Sequence, residues 1–349
     1  NIPLKPKHHL PVSLDGVQEN DFAMVFGYPG STNRYLTSFG VNLATDETNP
    51  ARVKIRSKKL EIMKEGMDAD PAVRLAYASK YARVSNYWKY FIGQTKGLQN
   101  LDVYSKKVAI ERELSNWINE KKSRSKKYGN PVEDIKAAYV DVTKYTVPFY
   151  YHYEAGMGIE FVKSSYLMNG LIKALNDESK DEGLTNAVIE KYKASSSSFF
   201  KDYNPEIDQK LLATMMAFFI DDLDPVYVPE VFKAVADPEN SELSFEGYNS
   251  SNDEDYQAFA KYIFDNSILV SKEKLMAFYD NPNAETLEND PGYIISQSVY
   301  DSYKDISAKR GAAVGNLSKS RRHFISAFRE MNHKSDYYQD ANSTMRFTY

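Results

Sequence analysis

Pro71–Leu98 reads PAVRLAYASKYARVSNYWKYFIGQTKGL. Val73, Tyr77, Tyr81, Val84, Trp88 and Phe91 recur at steps of three and four, which lines apolar side chains along one face of an α-helix. Asp70-Pro71 starts that helix. The cap oxygen accepts from an early backbone N–H, and a proline at the first helical position has no N–H to leave unpaired. Asn130-Pro131 and Asn204-Pro205 repeat the signal, with Glu133 and Glu206 in the first turn, where a negative charge suits the helix dipole. The same periodicity predicts helices near 49–66, 101–127, 131–153, 157–179, 184–200, 205–221, 252–265, 271–280, 291–309 and 313–333. Gly129, Gly156 and Asn169-Gly170 mark breaks or tolerated helix glycines. The region 221–250, with Asp224-Pro225, Val228-Pro229 and Asp237-Pro238, reads as loop with one short helix around 229–236. No fixed repeat period argues for a solenoid.

Strand patterns stand only at the extremities. In Asp21–Gly30, Phe22, Met24 and Phe26 share one face and Ala23 and Val25 the other, so the strand is apolar on both faces. Thr344–Tyr349 alternates, with Met345, Phe347 and Tyr349 on one side. The sequence starts at Asn1 rather than Met, and its first residues do not read as a signal peptide. Such ends are expected of a helical insertion within a larger β-containing protein, the alternative being that the two ends pair with each other.

The 349 residues suggest about two domains at ~150 residues each, with one large domain allowed. Lys and Arg number 44 and Asp and Glu 48, for a net charge of −4. With pI ≈ 5.9, binding driven by nucleic-acid phosphates is disfavoured. No run approaches the apolar length of a membrane span. The chain has 18 Phe, 27 Tyr and 2 Trp, which argues against disorder, and no cysteine, which excludes disulfides and thiolate chemistry.

No catalytic residue stands out. His8, His9, His152, His323 and His333 form no zinc motif and read as structural or surface residues. Asp221-Asp222-Leu223-Asp224 and Asp253-Glu254-Asp255 lack the calcium-loop pattern and read as solvated loop. Lys121–Lys127 is a basic run suited to a helix C-terminus. Ser195–Ser198 reads as a frayed helix turn. No Gly-x-Ser-x-Gly elbow or phosphate loop occurs. No metal and no cofactor is expected.

On the helix of Pro71–Leu98, Asn86 lies opposite the apolar stripe, among Ser79, Ala82, Tyr90 and Gly93. Small residues around an amide let another group approach, and the amide oxygen can accept from an ammonium. From periodicity alone a plain exposed asparagine is the favoured reading, and the face of Ser79, Ala82 and Gly93 could equally be a tight helix–helix contact.

Three segments resemble a known family. Phe26-Gly27-Tyr28-Pro29-Gly30-Ser31-Thr32-Asn33-Arg34-Tyr35, Ser85-Asn86-Tyr87-Trp88-Lys89 with Ile92-Gly93 and Gly97-Leu98, and Asp340-Ala341-Asn342-Ser343-Thr344-Met345-Arg346 before Thr348-Tyr349 are similar to the bacterial serine dipeptidyl aminopeptidases called dipeptidyl-peptidases seven and eleven. The resemblance implies a mainly α fold: a multi-helix cap domain whose short end strands belong to a chymotrypsin-like double β-barrel. It divides the chain into a flanking barrel segment at 1–40, a helical cap at 41–336 and the start of a returning strand at 337–349. The family's catalytic His, Asp and Ser do not map onto this chain, and its Gly-Asn-Ser-Gly-Ser-type motif is absent. Asn86 matches the family's asparagine that binds the substrate's α-amino group. Trp88, on the apolar face, is expected in the core.

The implied partners are an oligopeptide with a free N-terminus and the catalytic barrel of the same protein, with neither nucleic acid nor membrane. The family also implies a periplasmic or secreted protein and a homodimer. The competing expectation is a non-catalytic secreted helical module that binds glycans, its tyrosines gathered on one exposed face.

Overall fold

A computed structural model describes residues 2–177, 182–237 and 256–349. The chain divides into two compact units, Asn1–Leu36 with His333–Tyr349, and Thr37–Asn332. The first unit contains β1 (Val25–Gly27). The helical unit then runs α1 (Ser38–Asn42), a π-turn (Leu43–Thr48), α2 (Asn49–Ala69), α3 (Pro71–Asn100), α4 (Val103–Asn119), α5 (Lys122–Tyr128), α6 (Pro131–Tyr150) and a second π-turn (Tyr151–Gly156). It continues with α7 (Glu160–Tyr166), α8 (Asn169–Leu175), α9 (Glu182–Phe199), α10 (Pro205–Asp222), a 3₁₀ turn (Pro225–Tyr227), α11 (Glu230–Ala236), α12 (Tyr256–Asn266), α13 (Lys272–Phe278), α14 (Ala284–Glu288) and α15 (Pro291–Met331). Strand β2 (Arg346–Thr348) returns to the first unit. The protein is mainly α, with two short strands.

In the first unit β1 and β2 pair antiparallel, with Phe26 opposite Phe347. The two ends therefore pair with each other, the second of the two arrangements the pattern allowed. The ribbon is not buried: Phe26 is 64% and Phe347 58% exposed. Beside it, Asp340 Oδ1 accepts from Thr32 Oγ1 at 2.7 Å and from the Arg34 amide at 2.8 Å. The Ala341 amide donates to Thr32 Oγ1 at 2.8 Å, and Ser343, at φ +64°, donates its amide to the Pro29 carbonyl at 2.9 Å. The first and third family-like segments are thus interlocked.

The helical unit has three apolar centres. The largest joins α2, α7, α10, α11, α12 and the first half of α15, around Ile55, Phe161, Phe219, Phe232, Phe259 and Val299. The second joins α4, α6 and the far half of α15, through Leu114, Ile135, Leu317 and Phe324. The third lies among α8, α13 and α14.

Several boundaries differ from the sequence reading. The expected helix 101–127 breaks at Lys121, whose extended backbone lets Arg124 Nη1 bond the freed Trp117 carbonyl at 2.8 Å. The expected helix 157–179 divides into α7 and α8. The two helices expected at 291–309 and 313–333 are one, α15. Its buried residues Val299, Ile306, Ala313, Leu317 and Phe324 keep a near-heptad stripe through Gly311, so packing overrides the glycine.

Asp70 and Asn204 cap as expected, to the Ala72 and Ile207 amides at 2.7 and 2.9 Å, but Asn130 makes no side-chain cap bond. The short α1 and α14 carry too few turns for a periodic signal. Ser195–Ser198 lies inside α9 and is not frayed: Ser196 is buried and its Oγ is 2.8 Å from Tyr279 Oη. Nor are Asp221–Asp224 merely solvated, since Asp222 holds Tyr151 Oη at 2.6 Å and Lys54, and Asp224 caps the 3₁₀ turn. Asp253-Glu254-Asp255, Pro238 and the start of the 252–265 helix lie outside the described residues.

Candidate functional site

Asn86 is placed by an antiparallel helix hairpin. Asp70 alone, with extended backbone, ends α2 and begins α3, so the two helices fold back on each other. Facing pairs then repeat along the hairpin. Trp88 Nε1 donates to Ser57 Oγ at 2.7 Å, and Asn49 Nδ2 donates to Gln94 Oε1 and Thr95 Oγ1 at 3.0 Å each. Arg52 lies 3.9 Å over the Phe91 ring. Tyr77 and Phe91 are buried and the rest of the stripe is half-buried. Trp88 is therefore a packing residue of the inner face. The other tryptophan, Trp117, is half-buried beneath Arg124.

The outer face of α3 presents Ser79, Ala82, Asn86, Tyr90 and Gly93, all exposed. A Cβ built on Gly93 would meet nothing within 4 Å, so among the described residues no helix packs on this face and the tight-contact alternative finds no partner there. The Asn86 side chain makes no hydrogen bond among the described residues. Tyr90, one turn on, is 52% exposed yet held: Gln94 Nε2 donates to its hydroxyl at 2.7 Å, and Gln94 is itself fixed by Asn49. The amide therefore stands free on a well-anchored helix, beside a fixed ring. It offers one acceptor and two donors to a ligand.

Below the hairpin lies a charged layer that sequence reasoning missed. Glu154, in the second π-turn, is buried between Arg52, 2.6 Å from Oε1, and Arg56, 2.7 Å from Oε2. Arg56 Nη1 also donates to the Val84 carbonyl of α3 at 3.4 Å. Lys59 Nζ donates to the Glu154 and Gly158 carbonyls at 2.9 and 2.7 Å. Its burial lowers its pKa to about 8. A Cβ on Gly158 would lie 2.0 Å from the Glu154 carbonyl oxygen, so the close approach requires glycine.

Asp208 of α10 accepts from the Glu160 and Phe161 amides at 2.9 and 2.8 Å and so caps α7 from outside. Burial and the neighbouring Glu160 raise its pKa. Glu160 is held by Tyr77 Oη at 2.7 Å and Lys80 at 2.5 Å. The only trace of this layer in the sequence is a set of charged residues at positions where the helical period calls for apolar ones, such as Lys59 and Asp208.

Of the five histidines only His152 is buried. Its Nε2 meets the Tyr227 carbonyl at 2.7 Å, its ring meets Phe219 edge-on, and desolvation lowers its pKa to about 4. Among the described residues no three His, Asp or Glu side chains could together hold a metal ion, and no helix is long and apolar enough to cross a membrane.

The chain matches the family described as peptidase S46 over residues 1–349. It is 34% identical over 352 residues to dipeptidyl-peptidase 7 of Porphyromonas endodontalis, covering 100% of this chain and 40% of that protein. It is 32% identical over 357 residues to the Asp/Glu-specific dipeptidyl-peptidase of Flavobacterium psychrophilum, covering 100% of this chain and 47% of that protein. A crystal structure of Porphyromonas endodontalis DPP11 in complex with the dipeptide Arg-Glu superimposes with TM-score 0.78 at 25% identity, covering 98% of this chain and 47% of that one. The chain thus spans less than half the length of these relatives.

Proposed function

The chain belongs to the peptidase S46 family, and from that membership we propose that it is the helical cap of a serine-type dipeptidyl aminopeptidase, in which Asn86 binds the α-amino group of a peptide substrate. The carrying observation is an exposed amide, free of side-chain hydrogen bonds, at the centre of an anchored helix, in a chain whose relatives bear the name dipeptidyl-peptidase. An exopeptidase that removes dipeptides must stop the substrate two residues before the scissile bond. A cap carrying an acceptor for the terminal ammonium does this. An ammonium has three protons to place and Asn86 supplies one acceptor, so the remaining acceptors come from outside the face of α3.

In this reading the nucleophilic serine, the histidine base and the oxyanion hole belong to a chymotrypsin-like double barrel elsewhere in the protein. The exposed β1–β2 ribbon, with Phe26 and Phe347 on one free face, supports the view that further strands cover it there. Location outside the cytoplasm and homodimer formation are part of the same proposal. A glycan-binding role gains no support, because both tryptophans pack inward and most of the described tyrosines are buried or half-buried.

The test is hydrolysis of dipeptidyl chromogenic substrates. The full-length protein is expected to release dipeptides from free N-termini and to be indifferent to chelators. The 349-residue chain alone is expected to release none. Turnover by the purified chain itself would refute the cap assignment.

A further inference from the structure

We propose that a cavity on the side of α3 away from Asn86 binds a small carboxylate ligand with an apolar body. The cavity measures about 340 Å³, within the size range of small-molecule sites, and is lined by Arg56, Lys59, Lys163, Glu154, Tyr153 and Tyr303. It is separate from the face described above: Val84, which also lines it, stands about 200° around the helix from Asn86.

The charge of the lining selects an anion. Glu154 is its one carboxylate, already shared between Arg52 and Arg56 at 2.6 and 2.7 Å. A guanidinium has five N–H donors, and the Arg56 group spends only part of them on Glu154 and the Val84 carbonyl. Lys59 commits two of its three protons, to the carbonyls of Glu154 and Gly158. The acids behind Lys59 are already engaged, Asp208 by two backbone amides and Glu160 by Tyr77 and Lys80. Lys163 is exposed at the cavity and has no ion-pair partner among the described residues. Arg56, Lys59 and Lys163 thus line the cavity against a single carboxylate, and an anion bound there completes the pairing.

The rest of the lining is largely apolar and aromatic, which favours a carboxylate with a body over a bare inorganic ion. The rings of Tyr153 and Tyr303 lie 6.3 Å apart, and Phe149 stacks on Tyr153 with planes 5° apart. Met157 and Val84 complete the wall. Such a surface covers an aromatic or aliphatic side chain while the cations hold the carboxylate.

The experiment is calorimetric titration of the protein with N-acetyl-phenylalanine, whose blocked amine cannot use an ammonium site. Saturable binding at one site per chain is expected. The corresponding amide, or the substitution Lys163→Gln, should weaken it by about 10-fold or more, the loss of one charged hydrogen bond. Lys163→Arg should restore it, Tyr153→Ala should weaken it, and Asn86→Ala should leave it unchanged. Absence of saturation into the millimolar range, equal binding of acid and amide, indifference to Lys163→Gln, or loss in Asn86→Ala would overturn the proposal. Equally tight binding of inorganic phosphate would overturn the assignment of an apolar body.

Discussion

Asn86 and Glu154 sit on opposite sides of the same helix hairpin and carry opposite kinds of information. Among the described residues the Asn86 side chain makes no hydrogen bond, so under the proposed function its removal reads out on substrate. In the full-length protein Asn86→Ala is expected to lower kcat/KM by roughly 10- to 150-fold, the worth of one hydrogen bond to a charged group, with an unchanged melting temperature. Steady-state kinetics with a dipeptidyl substrate checks this. Glu154 touches no expected ligand atom at the outer face, so its removal reads out on stability. Glu154→Gln leaves Arg52 and Arg56, both largely buried, without their counter-charge and should cost about 3–5 kcal/mol in urea unfolding.

His152 gives a third expectation at this scale. Its pKa falls from 6.5 unfolded to about 4 folded, so between those values the native state binds fewer protons. Stability contributed by the neutral ring is present above pH 6.5 and is lost as pH falls toward 4, amounting to ~3 kcal/mol across the window. The hydrogen bond to the Tyr227 carbonyl and the charge of Asp305 offset the desolvation only in part. Denaturant unfolding of the wild type and of His152→Phe at neutral pH and at the acid end of the window should show that the wild type loses more stability on acidification than the variant, by the contribution of this ring.

At the scale of elements, the α2–α3 hairpin was legible because every signal agreed. The Asp70-Pro71 start, the stripe from Val73 to Phe91 and the polar outer face all specify one helix and one buried side. The breaks at Lys121 and Leu167 were not legible, because the residues there have ordinary helix propensity and the chain turns where side chains such as Arg124 satisfy the freed carbonyls. The opposite miss occurred at Gly311, where local propensity called for an end and the stripe from Ile306 to Leu317 carried α15 through. Gly311 is exposed, and a Cβ there would meet nothing within 4 Å. Gly311→Ala should therefore stabilise the protein by about 0.5–1 kcal/mol, seen as a raised unfolding midpoint. The charged layer under α3 escaped the sequence for a related reason. Its members Arg52, Lys59, Glu154 and Asp208 come from distant segments, and only the packed fold brings them together. Asn86, by contrast, was placed on its face by period alone, and only the family-like motif around it singled it out from any exposed amide.

At the scale of the whole molecule, a helical unit and a small two-stranded unit share one chain, and the strands leave the rings of Phe26 and Phe347 exposed. The matched family is one of peptidases, and the proposal is that this chain serves such an enzyme as a lid whose nucleophile lies elsewhere in the protein. The central claim is that the lid reads the substrate's amino end through Asn86. It is tested most directly by comparing the full-length wild type and Asn86→Ala on one dipeptidyl substrate with its amine free and the same substrate acetylated. The account predicts a strong preference of the wild type for the free amine and its collapse in Asn86→Ala. A preference of equal size in both proteins would contradict it.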